Sequence, residues 1–221
     1  MNDAERAEHL ENLLASFLKP IRGIPFPVVI KAICGTAVTP IKRTDAQDLE
    51  FVRLLSDAAK RVGQVVGANP IRRPRPNEVG NDLEPFVLDA LGHVGLEGSR
   101  PKSKTGRGQG TGYPDLLVRD LSGGPVYLEV KSFAEGVGHT TMRSFYLSPS
   151  ANPKVSFDAR HLVLGFGVTA EGVGADGDKH YRPTSYTLID LFELECDVKY
   201  EFNADNRRMY ADNLVLAHGP V

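Results

Sequence analysis

The chain has 221 residues, is 41% hydrophobic and 24% charged, and carries a formal net charge of −2. These values fit a globular chain with ample length to bury a core, and they exclude a disordered or strongly basic polypeptide. The longest apolar stretch, 24–34, is interrupted by Pro25, Pro27 and Lys31, so neither a membrane helix nor a signal peptide is expected there.

Cys34 and Cys196 are isolated and match no metal-ligand spacing; two buried thiols in a reducing cytosol, rather than a disulfide, are expected. The slightly acidic balance counts against nucleic-acid binding, for which a basic domain is usual. The charge is uneven, however. Residues 60–107 hold nine Lys or Arg against five Asp or Glu, and residues 171–212 hold five against ten. A basic face opposite an acidic one suits a DNA cleft, and ordinary surface variation accounts for it equally well.

Asp3 is the expected N-cap of a first helix, with Leu10, Leu13, Leu14, Phe17 and Leu18 on one face and Pro20 as its stop. Residues 21–41 set Pro25, Pro27 and Pro40 around an apolar centre that fits a short helix or a buried extended segment. Thr44 with Gln47 reads as a capping box. Phe51, Val52, Leu55, Ala58, Ala59 and Val62 then share a face, and Gly63 is the expected end of that helix. Residues 69–77, with three prolines and three arginines, read as a stiff, exposed connector. A solvated linker and a phosphate-contacting arm both fit it. It is also the expected boundary between a helical N-terminal region, 1–76, and a core, 77–221. Val79, Leu83, Phe86, Val87 and Ala90 predict a third helix closed by Gly92, which Pro85 forces to begin near Asn81 or Asp82 or to kink.

Residues 100–112 combine Arg100, Lys102, Lys104 and Arg107 with four glycines and no acid. Glycine lets a backbone approach a polyanion closely, and the charge favours phosphate; a solvated loop is the plainer reading. The spacing does not match a P-loop.

The most informative stretch follows. Asp115 heads a short apolar run, 116–118; Ser122, Gly123, Gly124 and Pro125 signal a turn; residues 126–130 form a second run rich in β-branched and aromatic residues. A hairpin is predicted. Side chains alternate along a strand, so Tyr127, Glu129 and Lys131 share one face and Leu128 and Val130 the other. With a modest stagger Asp115 comes close to Glu129, and two carboxylates and an ammonium converge. Such hard oxygen ligands suit Mg²⁺, and a neighbouring lysine can orient a water and stabilise charge on phosphorus. The plainer reading is a surface hairpin with a Glu/Lys pair on its wet face.

At Pro114-Asp115 and Glu129-Val130-Lys131 the chain resembles the PD-(D/E)XK nuclease superfamily, and in size it is most like a type II restriction enzyme. The resemblance is specific at Asp115, Glu129 and Lys131. It implies an α/β, restriction-endonuclease-like core with a mixed central sheet flanked by helices, here preceded by an N-terminal helical addition. It also implies a Mg²⁺-dependent endonuclease acting on double-stranded DNA in the cytoplasm, with Asp115, Glu129 and the Val130 carbonyl as metal ligands and Lys131 positioning the attacking water. A helix before the sheet in this superfamily often brings a glutamate to the site. Glu84 takes that role here, with Glu78 in reserve. A structure-specific nuclease of the same fold, such as a Holliday-junction resolvase or repair nuclease, and a non-catalytic DNA-binding module are the alternatives. A double-strand cut by one catalytic hairpin per chain implies a homodimer, for which the first helix is a candidate contact; packing of its apolar face on the same chain is the other reading.

Beyond the motif, residues 140–147 are β-rich, with Arg143 and Ser144 placed to reach phosphates or base edges. With Lys102, Lys104 and Arg107 they complete the expected DNA contacts. Residues 161–168 predict a strand covered on both faces, with His161 structural. Strands are also expected at 185–191 and 196–202.

Overall fold

The apolar run beginning at His161 becomes the middle of a six-stranded sheet, because a strand buried on both faces needs neighbours on both edges. A computed structural model describes residues 2–19, 21–103, 105–106, 112–136, 145–173, 179–200, 206–209, 211 and 213–214. The principal elements are α1 (Asp3–Phe17), α2 (Phe26–Cys34), α3 (Ala46–Ala68), β1 (Ile71–Arg73), α4 (Val79–His93), β2 (Gly98–Ser99), β3 (Leu116–Arg119), β4 (Pro125–Ala134), β5 (Arg160–Val173) and β6 (Lys179–Asp190). The strand order is β1-β6-β5-β4-β3-β2, with β4 and β5 parallel and the other pairs antiparallel. This mixed sheet with flanking helices is a restriction-endonuclease-like core.

Two compact units are distinguished: Pro25–Glu195, which holds the whole sheet, and a smaller one made of Met1–Ile24 and Cys196–Val221. In the larger unit α3 and α4 cover one face. Phe51, Leu55, Val62 and Val66 of α3 and Leu83, Val87 and Leu91 of α4 pack on Leu116, Leu128, Val130, Leu162 and Leu164. On the other face the α2 residue Phe26 sets its ring 5.4 Å from that of His161. In the smaller unit every described side chain of α1 is at least partly in solvent, including Leu10 at 50% and Phe17 at 59% exposure. Cys34 is buried, Cys196 only partly so, and neither forms a disulfide. Among the described residues no helix is long and apolar enough to cross a membrane.

Several local expectations are corrected. Asn2, not Asp3, caps α1, in a capping box with Glu5. Of the two forms left open for the apolar centre of 21–41, the structure has the helix, Phe26–Cys34. At α3 the cap is Asp45, whose Oδ1 accepts the Gln47 and Asp48 N–H groups at 2.9 and 3.1 Å. That helix runs past Gly63 to Ala68, because burying Val66 outweighs a glycine penalty of about 1 kcal/mol. The Pro/Arg-rich connector is not wholly exposed chain. Its Ile71–Arg73 segment pairs with β6 as an edge strand, and Arg73 forks onto Asp82 at 2.5 and 2.6 Å. The helix α4 begins at Val79 with Pro85 inside it. Residues 145–147 lie in no strand, and the rest of the strand expected at 140–147 lies outside the described residues. Beyond β6 a two-residue strand covers Glu195–Cys196; of the strand expected at 196–202, residues 197–200 lie in none and 201–202 lie outside the described residues.

The hairpin turn is closed by Asp120, whose Oδ1 accepts the Ser122 and Gly124 N–H groups and the Ser122 hydroxyl. Burial acts to raise its carboxyl, but those hydrogen bonds and Arg160 outweigh it and hold the group below the usual carboxylate range. Arg160, at the start of β5, pairs with Asp120 and, at 2.6 Å, with Asp48 of α3. The turn, the central strand and the helix behind them are thereby tied at one end of the sheet.

Candidate active site

The register of the hairpin builds the site. Leu116 pairs with Leu128 and Val118 with Val126, so the pairing continued by one residue sets Asp115 opposite Glu129 without any stagger. Asp115 Oδ2 accepts the Val130 N–H at 2.9 Å. One pleat along, Lys131 Nζ donates to Glu129 Oε1 at 2.5 Å. The pair is not on a wet face: Glu129 is 4% exposed, and its Oε2 is buried with no hydrogen-bond partner. Burial first, and then the Asp115 charge, push the Glu129 carboxyl up to about 7, against the opposing pull of Lys131.

Glu84, on the second turn of α4, is half-buried and lies 3.3 Å from Arg100. Burial and then Asp115 raise its carboxyl, while Arg100, Lys154 and Lys131 act to lower it. It therefore belongs to the same electrostatic cluster. Glu78, the reserve candidate, ends a one-turn helix at Pro76–Glu78, and its charge acts on Tyr181. The start of α4 approaches β4 closely, since a Cβ on Gly80 would sit 3.4 Å from the Ser132 backbone nitrogen. Beside Lys131 in register is Gly165, and a Cβ there would come to 3.1 Å from the Phe133 ring. Glycine thus keeps the site's face shallow at that point.

Beneath the site lies an aromatic cluster. Tyr113 OH is 2.6 Å from His161 Nδ1, and both rings pack against Phe26. Burial pushes the His161 imidazole down to about 3 and the Tyr113 phenol well up. His161 is thereby a neutral supporting residue, not a base. Of the expected DNA contacts, Lys102 is exposed, and Lys104, Arg107, Arg143 and Ser144 lie outside the described residues. Thr105 is tied to Asn152, whose Nδ2 donates to its hydroxyl at 2.8 Å.

Sequence reasoning passed over Lys154, which is 5% exposed and donates to the carbonyls of Gly112 at 2.6 Å and Pro114 at 3.0 Å. Its ammonium lies within the electrostatic reach of Asp115, Glu129 and Glu84. A single lysine in an irregular Ser/Pro-rich stretch gives no signal in the sequence.

The larger unit is thus a restriction-endonuclease-like core with two carboxylates and a lysine gathered on adjoining strands. A family model described as the type II restriction enzyme MjaV family matches residues 20–213. A type II restriction enzyme MjaV from Methanocaldococcus jannaschii is 34% identical over 231 residues, covering 98% of this chain and 97% of that one. No solved structure matches. The chain belongs to the type II restriction enzyme MjaV family and is a site-specific DNA endonuclease. This sets aside the resolvase and the non-catalytic module. Enzymes of this type work with a divalent metal ion.

Proposed function

We propose that the protein is a Mg²⁺-dependent enzyme of the cytoplasm that cuts both strands of duplex DNA at a short specific sequence, with Asp115, Glu129, Lys131 and Glu84 as its catalytic residues. The observation that carries this reading is the buried Glu129 Oε2 without a partner, on a side chain that register sets opposite Asp115. An orphaned carboxylate oxygen is costly unless something completes it. Among the described residues no three His, Cys, Asp or Glu side chains form a ready-made metal cage. That favours Mg²⁺, which one or two carboxylates hold together with phosphate oxygens, over an ion needing a full protein shell. Asp115, Glu129 and the Val130 carbonyl are the donors we assign to it. When bound, such an ion supplies Lewis-acid stabilisation of the charge that builds on the phosphate.

The chain's own groups do the rest. Lys131, held by Glu129, orients the attacking water for in-line displacement of the 3′-oxygen. Glu84 faces the cluster from α4 and completes its negative field. Digestion of plasmid DNA with and without Mg²⁺ tests the reading: discrete bands that need the ion are expected, and an intact plasmid under all divalent ions would contradict it.

We assign DNA contacts to Lys102, Lys104, Arg107, Arg143 and Ser144. Neutralising Lys102, Lys104 and Arg107 together is expected to reduce the salt slope of duplex binding by about three, one per phosphate contact. An unchanged slope would remove the loop from the interface. Region 1–76 is assigned to dimer and DNA contacts and region 77–221 to the chemistry.

A homodimer is proposed for the cutting enzyme, with the exposed stripe of Leu10, Leu13, Leu14 and Phe17 as its contact. Light scattering with and without DNA is expected to give twice the chain mass. A monomer in both conditions that still made concerted double-strand cuts would sink the proposal.

A further inference from the structure

We propose that Lys154 is a positioning residue for the metal-holding pair: its ammonium clamps the carbonyls of Gly112 and Pro114 and so fixes where Asp115 stands opposite Glu129. The inference rests on the assignment of Asp115 and Glu129 as metal ligands.

Three observations carry it. First, Lys154 is almost fully buried, and its ammonium donates to two backbone carbonyls of the turn leading into Asp115, at 2.6 and 3.0 Å. A buried lysine is rare unless its charge has a use, and neutral donors would satisfy two carbonyls at lower desolvation cost.

Second, the charge has an evident use. Asp115, Glu129 and Glu84 all act on Lys154, and of the cations acting on this cluster Lys131 and Arg100 are its companions. Three carboxylates gathered in a partly dry site repel one another, and a fixed ammonium behind them offsets part of that repulsion.

Third, the segment bearing Lys154 is itself anchored to the catalytic strand. Tyr127 OH, two residues before Glu129 on β4, accepts the Ser156 N–H at 2.8 Å and the Phe157 N–H at 3.3 Å. Asn152, two residues before Lys154, holds Thr105 of the basic loop. One short irregular stretch therefore grips the turn before Asp115, the strand of Glu129 and the base of the proposed DNA-contacting loop.

The test uses the full-length protein with Lys154→Met, Lys154→Gln and Lys154→Arg. It reads Mn²⁺ affinity without DNA by calorimetry, duplex affinity without divalent metal, single-turnover cleavage, and the thermal midpoint. Lys154→Met is expected to weaken Mn²⁺ binding and slow cleavage by about 10- to 100-fold, the range for groups that orient metal ligands. Its metal-free duplex affinity is expected to stay within about threefold of the parent. Lys154→Arg, which restores charge and donors, is expected to recover most of the loss, and Lys154→Gln, an uncharged donor, only part.

Parental Mn²⁺ affinity in Lys154→Met overturns the proposal, whether or not the thermal midpoint falls. Loss of duplex affinity with unchanged Mn²⁺ affinity also overturns it and makes Lys154 a phosphate contact. If Lys154→Met does not fold, the Gln and Arg variants decide: equal Mn²⁺ affinity in the two overturns the role of the charge. Normal cleavage by Asp115→Ala would instead sink the underlying site assignment. An inactive Asp115→Ala beside a parental Lys154→Met would sink this inference alone.

Discussion

Asp115→Ala is expected to lower the cleavage rate by about 10³-fold or more while leaving the protein folded. The carboxylate does two things in the free protein. It accepts the Val130 N–H, and it places a negative charge beside Glu129. Loss of the first leaves a part-buried N–H without its partner and costs about 1–2 kcal/mol. Loss of the second relieves like-charge repulsion and offsets some of that cost. Catalysis has no such offset, because one carboxylate of the pair is gone. Lys131→Ala acts differently. It removes the group assigned to orient the water, for which a loss of roughly 10²–10⁴-fold is expected. It also strips Glu129 of its counter-charge, so the remaining carboxyl binds its proton more tightly. Single-turnover assays at saturating metal and enzyme check both variants, with circular dichroism to confirm folding. Cleavage at near-parental rate by either one would mean that the motif is a structural hairpin.

How much of this was legible before the structure depends on whether the deciding contacts are local. The hairpin is local. Strand alternation puts Glu129 and Lys131 on one face, and the Ser-Gly-Gly-Pro turn sets the pairing that brings Asp115 across from Glu129. The central strand declared itself by being apolar on both faces. The same logic explains the failures. Gly63 looked like a helix end, but helix continuation is decided by the burial of Val66 in the core that the helix shares with strands far along the chain. The connector at 69–77 looked solvated because an edge strand is made by its partner. Ile71 pairs with Tyr181, which no pattern within the connector announces. Thr44 and Asp45 both offer a capping oxygen, and the backbone geometry that selects Asp45 is invisible in the sequence. Lys154 is the extreme case, since its partners are backbone carbonyls forty and forty-two residues away and leave no side-chain signature.

Glu129→Gln is expected to separate stability from activity in opposite directions. In the metal-free protein the Glu129 carboxyl is raised from its ordinary value, 4.5, to about 7, chiefly by burial. Between those values the folded chain holds a proton that the unfolded chain has released. Stability therefore falls as pH rises through the window, and the penalty is complete above about 7. Glutamine cannot ionise, so the variant lacks this slope. At pH 5 the two proteins are expected to differ little. At about pH 8 the variant is expected to be more stable by about 1–3 kcal/mol, less whatever Lys131 loses with its partner. The buried Oε2 position stays neutral at every pH, which removes the cost of an unpartnered anion there. Cleavage is expected to fall by about 10³-fold at both values, because a neutral amide is a poor substitute for a carboxylate toward a hard divalent cation. Denaturant unfolding at the two pH values, in chelator, measures the first effect and single-turnover digestion the second. A variant that is less stable than the parent at pH 8, or that keeps the parent's stability loss between pH 5 and 8, would show that the ion pair with Lys131 outweighs burial and that Glu129 is already fully ionised in the free protein.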